Sequence, residues 1–322
     1  MQAKLRVNHL RTYFYTAMGV AKAVDDVSFQ VSPRETLGIV GESGCGKSVT
    51  ALSVMRLVAQ PPGKIESGEI FLGDTNLIRL SRREMRKIRG NKISMIFQDP
   101  MTSLNPVFRI GEQVSETIRL HHGLSKRESF DKAVEMLQLV GIPSPAKRAY
   151  DYPHQMSGGM RQRVMIAIAL SCRPELMIAD EPTTALDVTI QAQVLQLIQK
   201  LKDETGTSVI LITHDMGVIA EMAQQVIVMY AGKVMECAKV GDLFKHPHHP
   251  YTESLLKSIP RPDQTPSQRR LNVIPGLVPS LLSLPRGCKF SNRCAKSLPK
   301  CLEEEPVLFG DAGHLCRCWL HE

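Results

Sequence analysis

Residues 41–48, GESGCGKS, place glycines, a lysine and a serine at the spacing of a phosphate-binding loop. Apolar residues 37–40 before them predict a short buried strand, and residues 49–57 after them have helical character. Such a loop directs backbone N–H groups into a concavity at a helix N-terminus, where negative charge is favoured. Lys47 would reach the outer phosphates, and the Ser48 hydroxyl would coordinate Mg²⁺. The predicted phosphate-contacting residues are Gly41, Glu42, Ser43, Gly44, Cys45, Gly46, Lys47 and Ser48.

Candidate catalytic groups also follow two other predicted strands. Residues 176–179, LMIA, end at the adjacent carboxylates Asp180 and Glu181. The carboxyl end of a strand in an α/β sheet faces the ligand crevice, so Asp180 is suited to hold Mg²⁺ and Glu181 to act as the general base for water. The alternative is an acidic turn without a catalytic role. Residues 208–213 lead to His214, which is either a donor to the γ-phosphate or the cap of the next helix.

A second anion site is predicted at residues 156–162, MSGGMRQ. A serine followed by two glycines directly before a strong helix is typical of an anion-binding helix N-terminus. One chain has no obvious use for two phosphate sites placed so differently. A head-to-tail pair of chains would use both, because each nucleotide would lie between the phosphate loop of one chain and the Ser-Gly-Gly turn of its partner.

The elements that carry these groups alternate along the chain. Short alternating apolar and polar runs in residues 1–36 predict antiparallel strands. Further strands are predicted at 70–72, 93–97, 176–180, 208–213 and 226–230, with helices at 110–120, 126–140 and 158–171. This order predicts an α/β core with a mostly parallel sheet and an inserted helical piece.

Composition agrees with a globular protein of one large or two modest domains. The 322 residues are 43% hydrophobic and carry a net charge of +8, which fits nucleic acid, an anionic membrane surface or phosphate-rich ligands. No apolar run is long enough to span a bilayer and the N-terminus lacks a secretory signal, so we expect a cytosolic protein. In that compartment the eight cysteines are more consistent with metal ligands or inert thiols than with disulfides.

Residues 1–260 closely resemble the ATP-binding subunit of an ABC transporter. The matching motifs, in family order, are GESGCGKS at 41–48, the Q-loop glutamine Gln98, the signature MSGGM at 156–160, the Walker B strand LMIADE at 176–181, the D-loop TALD at 184–187 and the switch histidine His214. The resemblance implies ATP and Mg²⁺ as ligands. It implies an ABC-type α/β fold with an antiparallel β subdomain and a helical subdomain at about 99–175.

The same resemblance assigns roles to further residues. Ser48, Gln98 and Asp180 would surround Mg²⁺, while Glu181, His214 and Gln98 would act in catalysis. Phe14 would stack on adenine, with Tyr13 and Tyr15 as alternatives. The signature departs from the common LSGGQ at Met156 and Met160, where we expect effects on packing. The residues that would face the partner's nucleotide are Ser157, Gly158, Gly159 and Asp187.

A finer resemblance, to the oligopeptide/dipeptide permease branch, covers nearly the whole chain. It is carried by FQDPMTSLNP at 97–106, DEPTTALDVTIQAQ at 180–193, HPHHPYTESLL at 246–256, PGLVPS at 275–280 and RGCKFSNRC at 286–294. It implies an ATPase domain at 1–245 and a family-specific C-terminal region at 246–322. It also implies peptide import at the cytoplasmic face of the inner membrane, with a related second ATPase subunit, two permease subunits and an external peptide-binding protein. No nucleic-acid partner is expected.

The C-terminal region is rich in proline and contains five of the cysteines, so it predicts a small irregular extension that needs a cross-link to be ordered. Four converging thiolates suit a [4Fe–4S] cluster or Zn²⁺. A cysteine pair with two to four residues between its members, common in zinc sites, is absent, and cluster binding is known in the branch, so we favour the cluster. Its predicted ligands are Cys288, Cys294, Cys301 and Cys318, with Cys316 as the alternative to Cys318.

Two other functions compete with transport. A soluble ABC ATPase of DNA repair or translation usually has two cassettes or a long coiled-coil insert, and neither is present. A metal- or redox-sensing regulator could use the ATPase as a switch. A GTPase is disfavoured, because the guanine-reading motif Asn-Lys-x-Asp is missing.

Overall fold

The computed structural model describes residues 3–99, 103–184, 186–259, 274–311 and 313–322. The strands in chain order are β1 (Leu5–Thr16), β2 (Gly19–Val31), β3 (Thr36–Val40), β4 (Gly63–Leu72), β5 (Thr75–Asn76), β6 (Ile93–Ile96), β7 (Leu176–Asp180), β8 (Ser208–Ile212), β9 (Gln225–Tyr230), β10 (Lys233–Lys239), β11 (Phe309–Asp311) and β12 (His314–Cys316). The α-helices are α1 (Lys47–Val54), α2 (Arg82–Ile88), α3 (Ile110–His122), α4 (Lys126–Leu139), α5 (Pro145–Arg148), α6 (Gly158–Leu170), α7 (Val188–Thr205), α8 (Met216–Met222), α9 (Val240–Lys245), α10 (Pro250–Lys257) and α11 (Lys300–Glu303).

The chain forms two compact units. One consists of Met1–Leu5, Val31–Glu35 and Leu72–Leu211, and the other of Arg6–Gln30, Thr36–Phe71 and Ile212–Glu322. Both are therefore discontinuous in sequence. The expected boundary at residue 245 between an ATPase domain and a C-terminal region stays a prediction.

The first unit contains the predicted helical insert. Helices α3, α4 and α6 pack against one another. Ile110, Val114 and Ile118 of α3 are buried at a spacing of four residues, as an amphipathic helix requires. The parallel strands β6 and β7 pair from Ile93 with Leu176 onward. The three predicted helices and the strand at 176–180 are confirmed, with ends shifted by at most two residues.

The second unit contains the β-rich part of the chain. Strands β2, β1 and β4 are neighbours in that order in one sheet. In another sheet β3 pairs in parallel with β9, and β9 pairs antiparallel with β10. The phosphate loop follows β3, which is buried along its whole length.

Among the described residues after 257, long stretches have no regular secondary structure. The C-terminal extension adds two three-residue strands, β11 and β12, and β12 pairs antiparallel with β10. Among the described residues, no helix combines the length and the hydropathy that crossing a bilayer requires.

Candidate functional site

The phosphate loop of the second unit has a backbone that only glycines permit at key positions. Gly46, the N-cap of α1, has φ +102°, and a Cβ atom there would lie 2.2 Å from the Ala23 carbonyl oxygen. A hydrogen bond also holds the loop, since the Gly232 N–H donates to the Cys45 carbonyl at 3.0 Å. The observed order of strand, loop and helix agrees with the prediction for residues 37–57.

Lys47 is buried within this loop, at 5% exposure. Its Nζ donates to the carbonyl oxygens of Gly41 at 2.7 Å and Glu42 at 3.1 Å. A cation at the positive end of a helix favours an anionic ligand such as a phosphate. Cys45 is completely buried, and burial raises the pKa of its thiol, so we expect it to be unreactive.

The two adjacent carboxylates lie in the first unit, where β7 ends. Asp180 is buried at 3% exposure. Glu181 has a left-handed backbone, φ +46°, which is uncommon for a residue with a side chain. Its Oε2 accepts hydrogen bonds from Thr184 Oγ1 at 2.9 Å and Gln98 Nε2 at 3.3 Å. A hydroxyl and an amide therefore fix the orientation of this carboxylate.

The Ser-Gly-Gly turn is also in the first unit, at the start of α6. Ser157 is the N-cap, and its hydroxyl accepts from the Met160 N–H at 3.4 Å. A Cβ on Gly159 would lie 2.8 Å from Ile190 Cγ2, so glycine allows α6 to approach α7 closely. The first turn contains no acidic residue, so its positive partial charge is not opposed there. Met156 is buried, in agreement with the expected packing role.

Asp187 caps the following helix. Its side chain accepts from the Ile190 N–H at 3.0 Å, which fixes the start of α7. The next residue, Val188, is 83% exposed despite being apolar.

His214, in the second unit, does not cap a helix. Asp215 does so instead, because its Oδ1 accepts from the N–H groups of Gly217 at 2.7 Å and Val218 at 3.4 Å. The alternative that His214 is a capping residue is therefore wrong. His214 is exposed just beyond β8.

The three N-terminal aromatic residues have different surroundings. Tyr13 donates its hydroxyl hydrogen to Asp25 at 2.6 Å, and burial raises the pKa of Tyr13. Tyr15 donates to Glu66 at 2.6 Å. Phe14 is half-buried, and its ring lies 2.9 Å from the position that a Cβ on Gly63 would occupy. The assignment of Phe14 to adenine stays a prediction.

The cysteines of the extension converge. The Cys288 N–H donates to the Cys301 carbonyl at 2.8 Å, and a Cβ on Gly287 would lie 2.2 Å from that same carbonyl oxygen. Burial raises the pKa of Cys288 to about 11, and the nearby charges of Cys301, Cys318 and Cys294 raise it as well. The hydrogen bond with Cys316 lowers the pKa of Cys318.

Sequence reasoning missed a buried acid beside the histidine-rich turn. Glu236 is fully buried, and its two oxygens accept from the N–H groups of His248 at 2.7 Å and His249 at 2.9 Å. Its Oε1 also lies 2.7 Å from His314 Nε2. The Pro-rich turn was the signal in the sequence that could have indicated such an acid, because backbone N–H groups need an acceptor when a turn is buried.

This group does not fit a metal ion, although its potential ligand atoms lie within 4.8 Å of one another. The rings of His248 and His314 are stacked, with centroids 3.7 Å apart and an angle of 3° between their planes. An ion bound to imidazole lies near the plane of that ring, and two parallel planes at this separation do not share one ion. Glu236 therefore serves as an acceptor that orders the turn.

The glycine loop with its lysine, the carboxylate after β7 and the Ser-Gly-Gly helix start are the motifs of an ATP-binding cassette, the nucleotide-hydrolysing part of an ABC protein. The family model described as ABC transporter matches residues 24–184. The model described as oligopeptide/dipeptide transporter, C-terminal region, matches residues 235–301.

Two relatives match this chain over at least 98% of its length. A probable peptide ABC transporter ATP-binding protein of Sinorhizobium fredii is 54% identical over 98% of this chain and 94% of its own length. The oligopeptide transport ATP-binding protein AppD of Bacillus subtilis is 53% identical over 100% of this chain and 98% of its own length. A dimeric post-hydrolysis structure of the ATP-binding cassette MJ0796, bound to ADP and Pi, is 28% identical, with a TM-score of 0.66 over 73% of this chain and 98% of that chain.

The chain therefore belongs to the ABC transporter ATP-binding proteins, in the branch with the oligopeptide/dipeptide transporter C-terminal region, and it is an ATPase.

Proposed function

We propose that this ATPase powers the import of short peptides through a membrane permease. The observation that carries the proposal is similarity over the full length, extension included, to relatives named for peptide transport. In this proposal the chain lies at the cytoplasmic face of the inner membrane. Residues 1–245 form the ATPase domain and residues 246–322 the family-specific region.

The proposed site roles follow from the chemistry of each group. Lys47 and the loop N–H groups bind the outer phosphates, and Ser48, Gln98 and Asp180 surround Mg²⁺. Glu181 accepts a proton from the attacking water, and its hydrogen bonds from Thr184 and Gln98 keep the carboxylate in one orientation. His214 donates to the γ-phosphate, and Phe14 stacks on adenine.

ATP is proposed to join two cassettes head to tail, with the Ser157–Gly159 turn and Asp187 of each facing the nucleotide of the other. Two features support this. The Ser-Gly-Gly helix start has no acid in its first turn, and exposed Val188 lies directly after Asp187. The dimeric neighbour bound to ADP and Pi provides a precedent for such pairing. The partner is proposed to be a related but different subunit, and hydrolysis reopens the pair.

The permease contact is proposed to lie on the helical subdomain. Directly before α3, Val107 is 71% and Phe108 is 51% exposed. Phe108 and Phe130 line a cleft of about 240 Å³ together with polar side chains of α3. Exposed apolar side chains beside a cleft are typical of a surface that receives a partner helix.

Uptake of labelled dipeptides and longer peptides, in cells lacking this chain and in cells complemented with it, tests the proposal. We expect uptake only with the complementing chain, and none with a Glu181→Gln chain. Phe108→Asp should prevent co-purification of the permease subunits while ATP-driven pairing persists. Leu302→Asp, at another exposed apolar side chain, is the matched control. Normal peptide uptake without the chain, or co-purification with ribosomes or DNA instead, would contradict the proposal.

We also propose that Cys288, Cys294, Cys301 and Cys318 hold a [4Fe–4S] cluster, which would cross-link the irregular extension. Burial raises the pKa values of Cys288 and Cys294, and the nearby charges of Cys301 and Cys318 raise both further, so the four residues lie near one another. Cys318 is proposed over Cys316 because members of the branch tend to end in Gly-His-x-x-x-Cys, which matches residues 313–318.

The cluster prediction is tested on protein purified without oxygen. We expect iron and inorganic sulfide in equal amounts, together with the visible sulfur-to-iron absorption band. Cys301→Ser should lose this absorption, because it removes one ligand. Cys172→Ser removes a buried thiol in the other unit and should keep it. A colourless protein with stoichiometric zinc would overturn the cluster in favour of the zinc alternative.

A further inference from the structure

An arginine of the cysteine-rich extension is hydrogen-bonded to the phosphate loop. Arg293 Nη1 donates to Glu42 Oε2 at 2.6 Å, and Arg293 Nη2 donates to Glu42 Oε1 at 3.0 Å. The contact is a bidentate ion pair, and the Arg293 side chain is only 4% exposed. Such pairs have a fixed geometry, since two parallel hydrogen bonds join two planar groups. Glu42 is the second residue of the loop that binds phosphate.

The position of Arg293 is itself fixed by the extension and by β9. Its Nε donates to the Pro275 carbonyl at 2.9 Å and its Nη2 to the Ile274 carbonyl at 3.3 Å. Its Nη1 donates to the Tyr230 hydroxyl at 3.2 Å. The five N–H groups of the guanidinium are thereby all engaged. The guanidinium is thus held firmly where it meets Glu42.

Glu42 transmits this constraint to Lys47, the lysine of the phosphate loop. Its backbone N–H donates to the Tyr251 hydroxyl at 2.9 Å, and its carbonyl accepts from Lys47 Nζ at 3.1 Å. Arg293 also offsets the negative charge of the Glu42 carboxylate, which would otherwise repel a triphosphate bound to the same loop. Both effects favour nucleotide binding and neither acts on the water that attacks the γ-phosphate.

We propose that Arg293 is a positioning residue for the phosphate loop, through which the cysteine-rich extension sets the affinity for ATP. The proposal rests on ATP binding by this loop, and it does not depend on which metal group the cysteines hold. It gives the extension a role in the ATPase cycle. Damage to the extension would weaken ATP binding without touching a residue of the loop.

The test compares Arg293→Gln, Glu42→Gln and the double variant, using the Kd for a fluorescent ATP analogue and the KM and kcat of hydrolysis. Arg293→Gln should raise Kd and KM about tenfold and change kcat less than threefold. Glu42→Gln removes the charge that Arg293 offsets, so it should raise Kd less. In the Glu42→Gln background, Arg293→Gln should change Kd less than threefold. Lys300→Gln breaks an exposed ion pair with Glu322 in the extension and should leave Kd unchanged.

Two outcomes would overturn the proposal. One is an unchanged Kd in Arg293→Gln. The other is an equal increase in both backgrounds, which would mean that Arg293 only supports the fold of the extension. If Arg293→Gln does not fold, two other variants serve. Arg293→Lys keeps the charge without the bidentate pair, and Tyr251→Phe removes the hydroxyl that accepts from the Glu42 N–H. Each of these two variants should raise the Kd for the ATP analogue several-fold. The proposal is contradicted if neither variant changes it. Failure of the wild-type chain to bind ATP would instead refute the nucleotide site.

Discussion

Glu181→Gln is expected to bind ATP normally and to hydrolyse it at least 100-fold more slowly than the wild-type chain. A positioned general base contributes about 10²- to 10⁴-fold to a rate, and an amide cannot accept the proton of the attacking water. Glutamine keeps the size of the side chain and can still accept from Thr184, which donates to Glu181 at 2.9 Å. Binding, unlike chemistry, should therefore survive the change.

Phosphate release under saturating ATP and the Kd for a fluorescent ATP analogue measure the two effects separately. Since ATP should join two cassettes and hydrolysis should part them, the variant should also accumulate as an ATP-bound pair by size-exclusion chromatography, with its native partner supplied. Glu175→Gln is the matched control, because Glu175 is a half-exposed acid that pairs with Lys4 and Lys92 near the start of β7. Turnover at the wild-type rate by Glu181→Gln would remove Glu181 from the catalytic role.

Gly46→Ala is expected to abolish measurable ATP binding, with a loss of affinity of at least 100-fold. The added Cβ would lie 2.2 Å from the carbonyl oxygen of Ala23, and that backbone atom cannot move aside as a flexible side chain can. The φ of +102° is in addition unfavourable for alanine. The loop must shift to relieve both, and Lys47, the next residue, shifts with it.

Gly44→Ala separates the two causes within the same loop. Gly44 also has a positive φ, +77°, but nothing lies within 4 Å of an added Cβ. The left-handed backbone costs alanine about 1–2 kcal/mol, so the affinity should fall about tenfold and not vanish. Gly241→Ala has neither problem and should bind ATP like the wild-type chain. The explanation fails if Gly46→Ala binds ATP as well as Gly44→Ala while both melt at the wild-type temperature.

Local sequence patterns were sufficient to predict the three helices of the insert and the strand that ends at Asp180. The helix predicted at 110–120 is observed at Ile110–His122, because apolar residues at helical spacing define its buried face. The strand at 176–180 is observed without change. The patterns that predict these two elements and the Ser157 cap are local in the sequence, although the strand itself pairs with β6, more than 80 residues earlier. The motif order then identified the family.

The tertiary structure decided what lies far apart in sequence. Arg293 and Glu42 are 251 positions apart, and no spacing rule links an arginine in an irregular, proline-rich tail to the phosphate loop. The same holds for Glu236 beneath the histidine-rich turn, which looks like an ordinary strand residue in the sequence. Such contacts depend on how strands and loops from distant parts of the chain are brought together, so periodicity and turn chemistry cannot predict them.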